Sequence, residues 1–591
     1  MGRISRRELL RSGARAAAAI GAAHILPAFA QTSSAAPAKY STAFRRLDEY
    51  VNRRLRELNA PGLTLALADR NGAVRVATYG FADVKTKTPA RPDHLFQIGS
   101  ISKSFAAICC LQLVQEGKLD LHRPIREYLP WLEIDSSYEP ITTHHLLSHT
   151  SGLPDDAPLN PRGPLPHLWV GFPPGSHYSY SNSGYQILGL LLEKLDGRRW
   201  PELVRARVLA PLQMNATEPV INDTLRPRTA AGYWHYYPDY VYPPGGPLGE
   251  APWIEFEHAS GSISSTPADM ARYMSMLLNR GAGALSPASF ELLIKPVQKA
   301  TSWGEAASYA YGFAVDELPM HGSNAPHLRL RHTGGMVAFS SAIHIDLTGG
   351  VAGFASTNSN LERYRPNDIV SYALDLVRAV NDRRELPTIP PPDDPARVEN
   401  GSDYAGEYTP IGYGSECGSD VIGPDGKPML HKCLFRIGSE GTTISVQPGG
   451  DIALSLDQIG KDRFVGHMPQ FARYSFVFNR ENGIVTDLLY GPMWLANDRY
   501  AGAREFQYPK EWQAFAGHYR NNDPWQGSVR VFLRKGKLWL ADDELTPLPN
   551  GLFRPGKEEY SPERVSFDTI VEGKAQRMNF SGVDFDRVGE M

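Results

Sequence analysis

The chain has 591 residues, more than one hydrophobic core usually serves, so we expect two to four domains. A hydrophobic content of 42% and a charged content of 21% are typical of an ordinary soluble globular protein. The net charge of −3 gives no reason to expect a nucleic acid or an anionic membrane as a partner.

Residues 1–30 have the character of an export signal. The segment Ser5–Leu10 resembles a twin-arginine motif, and an alanine-rich apolar stretch runs from Ala16 to Ala30. The sequence Ala28–Ala30 before Gln31 fits an A-x-A cleavage site. The stretch is too short and too interrupted to span a membrane, and we find no other candidate span. The sequence therefore predicts a mature protein that is periplasmic or secreted.

The first folded elements are a helix and a hairpin. Apolar residues recur at helical spacing over residues 40–58, which predicts an amphipathic helix. Two apolar runs, Leu63–Ala68 and Val74–Tyr79, then flank Asn71 and Gly72. An Asn-Gly pair between two such runs is a strong signal for a β-hairpin.

Ser100 and Lys103 stand where a loop meets the mostly apolar helical run Ser104–Val114. Residues at i and i+3 share a helix face, so the Lys103 amine can lie beside the Ser100 hydroxyl. A serine hydroxyl is a poor nucleophile until a base removes its proton. A lysine can be that base when burial or a neighbouring cation lowers its pKa. The helix N-terminus also directs backbone N–H groups at an oxyanion beside Ser100.

Two later stretches carry groups that suit the same chemistry. Tyr180 and Asn182 lie on one short loop before the apolar helical run Ile187–Leu192. The phenol can relay protons, and the amide can hold a substrate carbonyl. The third stretch, Arg331–Gly335, lies between two apolar segments with strand character. Its glycines allow a substrate backbone to approach closely.

In this order the three stretches resemble the penicillin-recognising serine hydrolases, which carry S-x-x-K, then Y-x-N, then a box of the K-T-G or H-x-G type. The resemblance covers residues 45–380 and is strongest with class C β-lactamases, D-alanyl-D-alanine carboxypeptidases, D-aminopeptidases and esterases. The flanking segments that agree are Phe96–Gly99, Leu146–Leu153, Ser264–Met270 and Tyr311–Phe313. The site residues that the resemblance implies are Ser100, Lys103, Tyr180, Asn182 and His332 for catalysis, with Thr333, Gly334 and Gly335 for the substrate and the oxyanion.

The resemblance implies acyl transfer through a covalent acyl-enzyme. Ser100 attacks a carbonyl, while Lys103 and Tyr180 share the proton transfers. Asn182 holds the substrate amide, and the oxyanion lies between the backbone N–H groups of Ser100 and Gly335. Water then cleaves the ester, or an amine does so in a transpeptidation.

His332 departs from the lysine that β-lactamases mostly have at the third box. Histidine has a reference pKa of about 6.5 and is largely neutral above neutrality. The difference weakens the interpretation as a β-lactamase and favours the peptidase and esterase side of the family. We hypothesise that activity depends on pH near neutrality through His332.

The remaining elements of this domain follow in order. A helix is predicted at Ser264–Leu278, strands at Ala310–Val315 and Leu328–Ser356, and a final helix at Asp368–Val380. Two opening strands, a helical middle, closing strands and a last helix predict an α/β (α+β) fold over residues 40–385, with one antiparallel sheet flanked by helices. The family resemblance implies the same fold.

A proline-rich linker is predicted at residues 386–400, because prolines there cannot continue a helix. Residues 400–508 and 512–591 show short alternating stretches with Gly and Pro turns and a weak internal repeat. They predict two small antiparallel barrel-like accessory domains. These domains could cap the active site, bind cell wall or mediate oligomers. Four tryptophans could form a glycan platform or pack in the barrels: Trp494, Trp512, Trp525 and Trp539.

Four cysteines are too few for a disulfide scaffold. Adjacent residues on a helix point apart, so we expect Cys109 and Cys110 to be buried small hydrophobes. Cys417 and Cys433 could pair in an exported protein or stay as free thiols. No spacing is typical of a metal site, and we expect no metal and no cofactor. We interpret His149 as a structural, hydrogen-bonding histidine.

Three functions are compatible with the sequence. The favoured one is a serine peptidase or amidase acting on D-amino-acid or cell-wall-type peptides, because peptidoglycan lies outside the cytoplasm. The second is an esterase or β-lactamase using the same machinery. The third is a non-hydrolytic penicillin-binding protein, against which the intact catalytic motifs argue. In each case the expected partner is a small peptide, amide or ester.

Overall fold

The antiparallel sheet that the sequence predicts organises the N-terminal part of the computed structural model. The structure describes residues 31–32, 38–236, 239–241, 245–320, 322, 325–361, 364–411, 435–440, 443–448, 453–466 and 471–589. The predicted export signal, Cys417 and Cys433 lie outside these residues. The proposed pairing of the two cysteines therefore stays a prediction.

Ten strands form this sheet, and every pairing in it is antiparallel. The strands are β1 (Gln31–Thr32), β2 (Gly62–Asp69), β3 (Gly72–Asp83), β4 (Thr88–Pro89), β5 (Gln298–Lys299), β6 (Ser308–Tyr309), β7 (Ala314–Pro319), β8 (Pro326–Met336), β9 (Phe339–Asp346) and β10 (Val351–Thr357). Their order across the sheet is β1-β3-β2-β10-β9-β8-β7-β6-β5, with β4 paired to β3. Three short pairs lie outside it: Phe96–Gln97 with Ser264–Ser265, Ile134–Asp135 with Leu168–Trp169, and Tyr233–His235 with Leu248–Glu250.

Nine α-helices of the described chain cover both faces of the sheet. They are α1 (Ser41–Glu57), α2 (Ser102–Gln115), α3 (Ile125–Tyr128), α4 (Thr143–Leu147), α5 (Asn182–Asp196), α6 (Trp200–Val204), α7 (Pro267–Leu278), α8 (Pro287–Ile294) and α9 (Asn367–Asn381). Leu65 and Leu67 of β2 belong to the apolar core that contains α1 and α9, whereas Ala66 and Ala68, which alternate with them, belong to the core that contains α2. This alternation follows from the two-residue period of a strand.

Helix α2 passes through the centre of the helical layer. It is apolar nearly all round, which is typical of a helix without a solvent face. Cys109 and Cys110 are both free thiols within it, and both are fully buried. They behave as small buried hydrophobes, as expected. Their burial also holds in place the helix that carries Lys103.

Beyond α9 the chain forms two closed barrels of eight strands each. The first contains β11 (Gly406–Pro410), β12 (Phe435–Glu440), β13 (Thr443–Pro448), β14 (Leu454–Gly460), β15 (Arg463–Gly466), β16 (Phe476–Glu481), β17 (Ile484–Tyr490) and β18 (Met493–Ala496). The second contains β19 (Gly517–Arg520), β20 (Ser528–Arg534), β21 (Lys537–Leu540), β22 (Asp543–Pro547), β23 (Phe553–Pro555), β24 (Val565–Val571), β25 (Lys574–Phe580) and β26 (Val583–Gly589). Each barrel has its own apolar core, which confirms the predicted fold class.

The second barrel packs against the sheet domain near its helical layer. The indole Nε1 of Trp169 donates to the carbonyl of Pro562 at 2.7 Å. The ring of His177 stacks on Tyr560 with centroids 4.3 Å apart. The domain boundaries read from the sequence stay predictions, but these contacts place one face of the second barrel beside the residues that precede α5.

None of the helices in the described part of the chain combines the length and the apolar character that a membrane crossing requires.

Candidate active site

A turn of 3-10 helix, Gly99–Ile101, leads directly into α2 and carries Ser100. Gly99 has a φ of +54°, and a Cβ atom there would lie 2.7 Å from the backbone nitrogen of Gly335. Both facts require glycine, because other residues strain at positive φ and a side chain would push β8 away. The serine is therefore held against the strand that carries the third motif.

Lys103 lies one turn after Ser100 and is fully buried. Its Nζ contacts Ser100 Oγ at 3.0 Å, Asn182 Oδ1 at 2.5 Å and the carbonyl oxygen of Ser260 at 2.8 Å. The amide and the carbonyl oxygens can only accept, whereas the serine hydroxyl can also donate. A neutral amine that donates twice and accepts the serine proton fits all three partners.

Two groups could remove that proton, and their pKa values separate them. Burial lowers the pKa of Lys103 to about 7, although the nearby Asp155 and Asp156 oppose the shift. Burial raises the pKa of Tyr180 well above its ordinary value, even though the phenol interacts with Ser100. Near neutral pH the amine is therefore often unprotonated, while the phenol keeps its proton. Lys103 is the better base, and Tyr180 is suited to donate.

The loop that carries the second motif is held from below by His149. Helix α5 starts at Asn182, and Ser181 caps it by accepting a hydrogen bond from Gly184 N. The Ser181 backbone N–H donates to His149 Nδ1 at 3.0 Å. His149 is fully buried, and burial lowers its pKa well below the usual value. It acts here as a neutral acceptor, in line with the structural interpretation of this residue.

The third motif lies on β8, whose Gly334 pairs with Ser341 of β9. A Cβ at Gly334 would lie 1.9 Å from the carbonyl oxygen of Ile98, so the close approach of these two backbones requires glycine. Gly335 continues the strand, and Thr333 faces the cavity beside Ser100.

His332 does not behave as the sequence suggested. Its ring accepts a hydrogen bond from Tyr309 at Nε2 (2.9 Å) and donates from Nδ1 to the carbonyl of Thr333 (2.6 Å), the tautomer that these two partners allow. It is 1% exposed, and burial together with the charge of Lys103 lowers its pKa to about 3. The hypothesis that His332 titrates near neutrality is therefore wrong, because the residue stays neutral throughout that range.

The predicted residues converge on one cavity of about 750 Å³. Ser100, Tyr180, Asn182, His332, Thr333 and Gly335 line it, Lys103 lies behind Ser100, and Gly334 packs on Ile98. A second cavity of about 320 Å³ also reaches Ser100 and is lined partly by the second barrel. Ser100 therefore stands between two cavities.

Several residues that line the cavity were not predicted as site residues from the sequence, among them Arg365, Asp156 and Trp525. Arg365 precedes α9, and Asp156 precedes the Tyr180 loop. Trp525 comes from the second barrel, is 36% exposed and lines both cavities. The other three barrel tryptophans pack within the barrels, as the alternative interpretation had it: Trp494 is buried, Trp512 contacts Phe553, and Trp539 donates to the Arg534 carbonyl.

A serine beside a buried lysine, a nearby tyrosine and a glycine-rich strand of an antiparallel sheet are what the resemblance to the penicillin-recognising serine hydrolases implies. Residues 47–376 match the family described as Beta-lactamase, and the chain belongs to that family. The resemblance stated from the three motifs is confirmed.

Two relatives each match a part of the chain. Penicillin-binding protein 4* of Bacillus subtilis (strain 168) is 26% identical over 294 residues, which are 45% of this chain and 60% of the relative. Protein flp of Staphylococcus aureus (strain MW2) is 29% identical over 188 residues, 29% of this chain and 38% of that protein. The chain thus spans less than two thirds of either relative.

Among solved structures, the octameric penicillin-binding protein homologue from Pyrococcus abyssi is similar, with a TM-score of 0.52 and 22% identity. The match covers 76% of this chain and 99% of that chain. At this identity the likeness concerns the fold alone.

We predict that the pH profile of kcat/KM has a rising limb with a midpoint of about 7, because protonation of Lys103 below that pH removes the base. The limb should persist in His332→Gln, whose amide can keep one donor and one acceptor. Steady-state measurement of kcat/KM between about pH 5 and 9 gives this profile for the wild type and for His332→Gln. A limb that disappears in His332→Gln, or a flat wild-type profile, would contradict the assignment of the base to Lys103.

Proposed function

We propose that the chain forms an acyl-enzyme on Ser100 and hydrolyses peptides or amides of the D-amino-acid or cell-wall type. The observation that carries the proposal is the contact set of Lys103. Its amine is fully buried, lies 3.0 Å from the Ser100 hydroxyl and has acceptor-only partners at its other two contacts. This arrangement prepares a neutral base for one defined hydroxyl.

In the proposed reaction, Lys103 and Tyr180 each accept one proton and give one up during acylation. Lys103 takes the proton as Ser100 Oγ attacks the carbonyl, and the backbone N–H groups of Ser100 and Gly335 stabilise the oxyanion. Tyr180 passes a proton to the leaving nitrogen and is resupplied from Lys103. Because Asn182 Oδ1 is engaged by Lys103, only its amide nitrogen is left to hold the substrate. In the second step Lys103 removes a proton from water, the water attacks the ester carbonyl, and Ser100 is released with its proton restored from Lys103.

Arg365 supports a substrate that ends in a carboxylate. It lines the cavity of Ser100, and its Nη2 lies 2.4 Å from where a Cβ of Gly335 would stand. Its Nη1 donates to Ser340 Oγ and to the Tyr364 carbonyl. None of the described residues forms an ion pair with it. A guanidinium in such a place suits a carboxylate, and it replaces the cation that His332 does not supply.

We predict that the chain hydrolyses an acyl-D-alanyl-D-alanine peptide faster than the same peptide with a C-terminal carboxamide. In Arg365→Gln the acid-to-amide ratio of kcat/KM should fall about 10- to 100-fold, the usual worth of a charge-assisted hydrogen bond. Because the ratio is taken within one variant, a general loss of folding cancels. An unchanged ratio would contradict the role of Arg365. Equal loss on both substrates would indicate a structural role only.

The second barrel supports a limit on substrate size. Trp525 lies in the segment 521–527 between β19 and β20, where its backbone N–H donates to Asp523 Oδ1 at 2.9 Å. Its ring stacks on Phe256 at 6.2 Å and interacts with the side chain of Asp156. It therefore stands between the two cavities on either side of Ser100. This position favours the capping role among those considered for the barrels.

We predict that Trp525→Ala joins the two cavities and admits longer substrates. Relative to a dipeptide-length amide, kcat/KM for a pentapeptide should rise at least about fivefold, because the indole no longer fills the path. Trp131→Ala, which removes an indole that is 58% exposed, is the matched control and should leave the ratio unchanged. A ratio that does not move in Trp525→Ala would rule out the capping role.

The second candidate is a β-lactamase on the same machinery. Arg365 favours it, because a penicillin also presents a carboxylate near its reactive carbonyl, and an esterase needs no such cation. Hydrolysis of a penicillin at a higher kcat/KM than that of the D-alanyl peptide would favour the β-lactamase over the peptidase.

We also propose export to the periplasm or the medium. The support is the segment Ser5–Leu10 and the A-x-A site before Gln31, both outside the described residues. N-terminal sequencing of the exported protein should begin at Gln31. A chain retained in the cytoplasm with its first residues intact would contradict this.

A further inference from the structure

A third cavity of about 510 Å³ lies where the two barrels and the sheet domain meet. It shares no lining residue with the two cavities at Ser100. Its walls come from the sheet domain at Arg54, from the first barrel at Arg473 and Tyr474, and from the second barrel at Arg530 and Arg534. The catalytic machinery does not use any of these residues.

The cavity has an excess of positive charge. Five arginines line it, Arg54, Arg463, Arg473, Arg530 and Arg534, together with two aspartates, Asp393 and Asp542. Both aspartates are taken, since Arg54 pairs with Asp393 at 2.8 Å and Arg463 pairs with Asp542. Within the described residues, the other three arginines form no ion pair. Arginine stays charged in proteins, so three positive charges face one space with no ion-pair partner among the described residues.

Arg534 is the most deeply placed of the three, at 3% exposure. One Nη2–H donates to the Ala541 carbonyl at 3.2 Å, but Nε and Nη1 have no hydrogen-bond partner among the described residues. The guanidinium lies 4.1 Å from the ring centroid of Phe532, a cation–π contact that compensates only part of the lost hydration. The side chain supplies a buried positive charge within the cavity wall.

Arg473 and Arg530 come from different barrels and converge on one ring. Their guanidinium carbons lie 5.6 Å and 5.4 Å from the ring centroid of Tyr474, whose hydroxyl has no partner among the described residues. Asp239 is close to Arg530 but accepts a hydrogen bond from Ser528 and forms no ion pair with it. Two half-buried cations that repel each other are thus held across the junction, with a phenol between them as a further donor.

We propose that this cavity binds an oxyanion of the phosphate class, held by Arg473 from the first barrel and Arg530 from the second. Guanidinium groups match the geometry of phosphate oxygens and can donate in pairs, and the Tyr474 hydroxyl can add a third donor. The positive charge of Arg534 in the cavity wall strengthens the electrostatic attraction for the anion. The shared chemistry is the phosphate group, whether free or as a monoester.

Binding in this cavity affects the surroundings of Ser100, because the segment that carries Trp525 continues directly into β20, the strand that carries Arg530. An anion that ties the barrels together also fixes the start of this strand, and hence the position of Trp525 beside Ser100. The binding site itself does not depend on the proposed reaction.

The test is thermal unfolding of the full chain titrated with inorganic phosphate at constant ionic strength, with sodium chloride as the balance. We expect a saturable rise of Tm, and a half-saturating concentration at least about tenfold higher in Arg473→Gln and in Arg530→Gln. Arg520→Gln, an exposed arginine of the same barrel outside the cavity, is the matched control and should behave as the wild type. Isothermal titration calorimetry on the same variants measures binding directly.

A rise of equal size in all variants would be the general stabilisation that excluded salts give, and it would overturn the proposal. The absence of saturable binding in calorimetry would do the same. Parallel titrations with glycerol phosphate and with citrate distinguish the sources: tighter binding of the ester points to a phosphorylated ligand, and tighter binding of citrate would overturn the phosphate class. Should one variant fail to fold, the other decides.

Discussion

The buried amine of Lys103 is the constraint on which the rest of the site depends. Among the described residues no carboxylate forms an ion pair with it. Three oxygens from three segments surround it: Ser100 before α2, Asn182 at the start of α5, and the carbonyl of Ser260. A pKa of about 7 means that the site disfavours the charged amine by about 5 kcal/mol. Folding must offset this cost most fully below about pH 7, and what the protein gains is a base beside one hydroxyl.

The second barrel takes part in this balance. Asp155 accepts a hydrogen bond from the Asn182 backbone N–H at 2.9 Å, and its own N–H donates to Glu563 of the barrel at 2.8 Å. Asp155 and Asp156 both raise the pKa of Lys103, and Trp525 interacts with Asp156. The barrel thus reaches the surroundings of Ser100 through carboxylates as well as through the cavity wall that Trp525 forms, and the pKa of Lys103 depends on this docking.

Much of the fold and of the site was predictable because it follows local rules. The S-x-x-K spacing puts Ser100 and Lys103 on one helix face, and the Asn71-Gly72 pair predicts the hairpin of β2 and β3. The lowered pKa of His332 was not predictable, because it depends on burial and on the charge of Lys103, which only the fold brings close to the ring. Arg365 and Trp525 carry no local signal, since only the docking of α9 and of the second barrel brings them to Ser100. The same holds for Arg473 and Arg530, which lie on different barrels.

The role of Ser100 as the nucleophile is tested by the intact mass of the chain after incubation with a penicillin and, separately, with an activated ester, compared with Ser100→Ala. We expect a mass increase equal to the acyl group in the wild type, none in Ser100→Ala, and decay of the adduct as water regenerates the serine. An adduct that persists without turnover would indicate a penicillin-binding protein that does not hydrolyse. An equal adduct in Ser100→Ala, or none in the wild type with either probe, would contradict the assignment of Ser100 as the nucleophile.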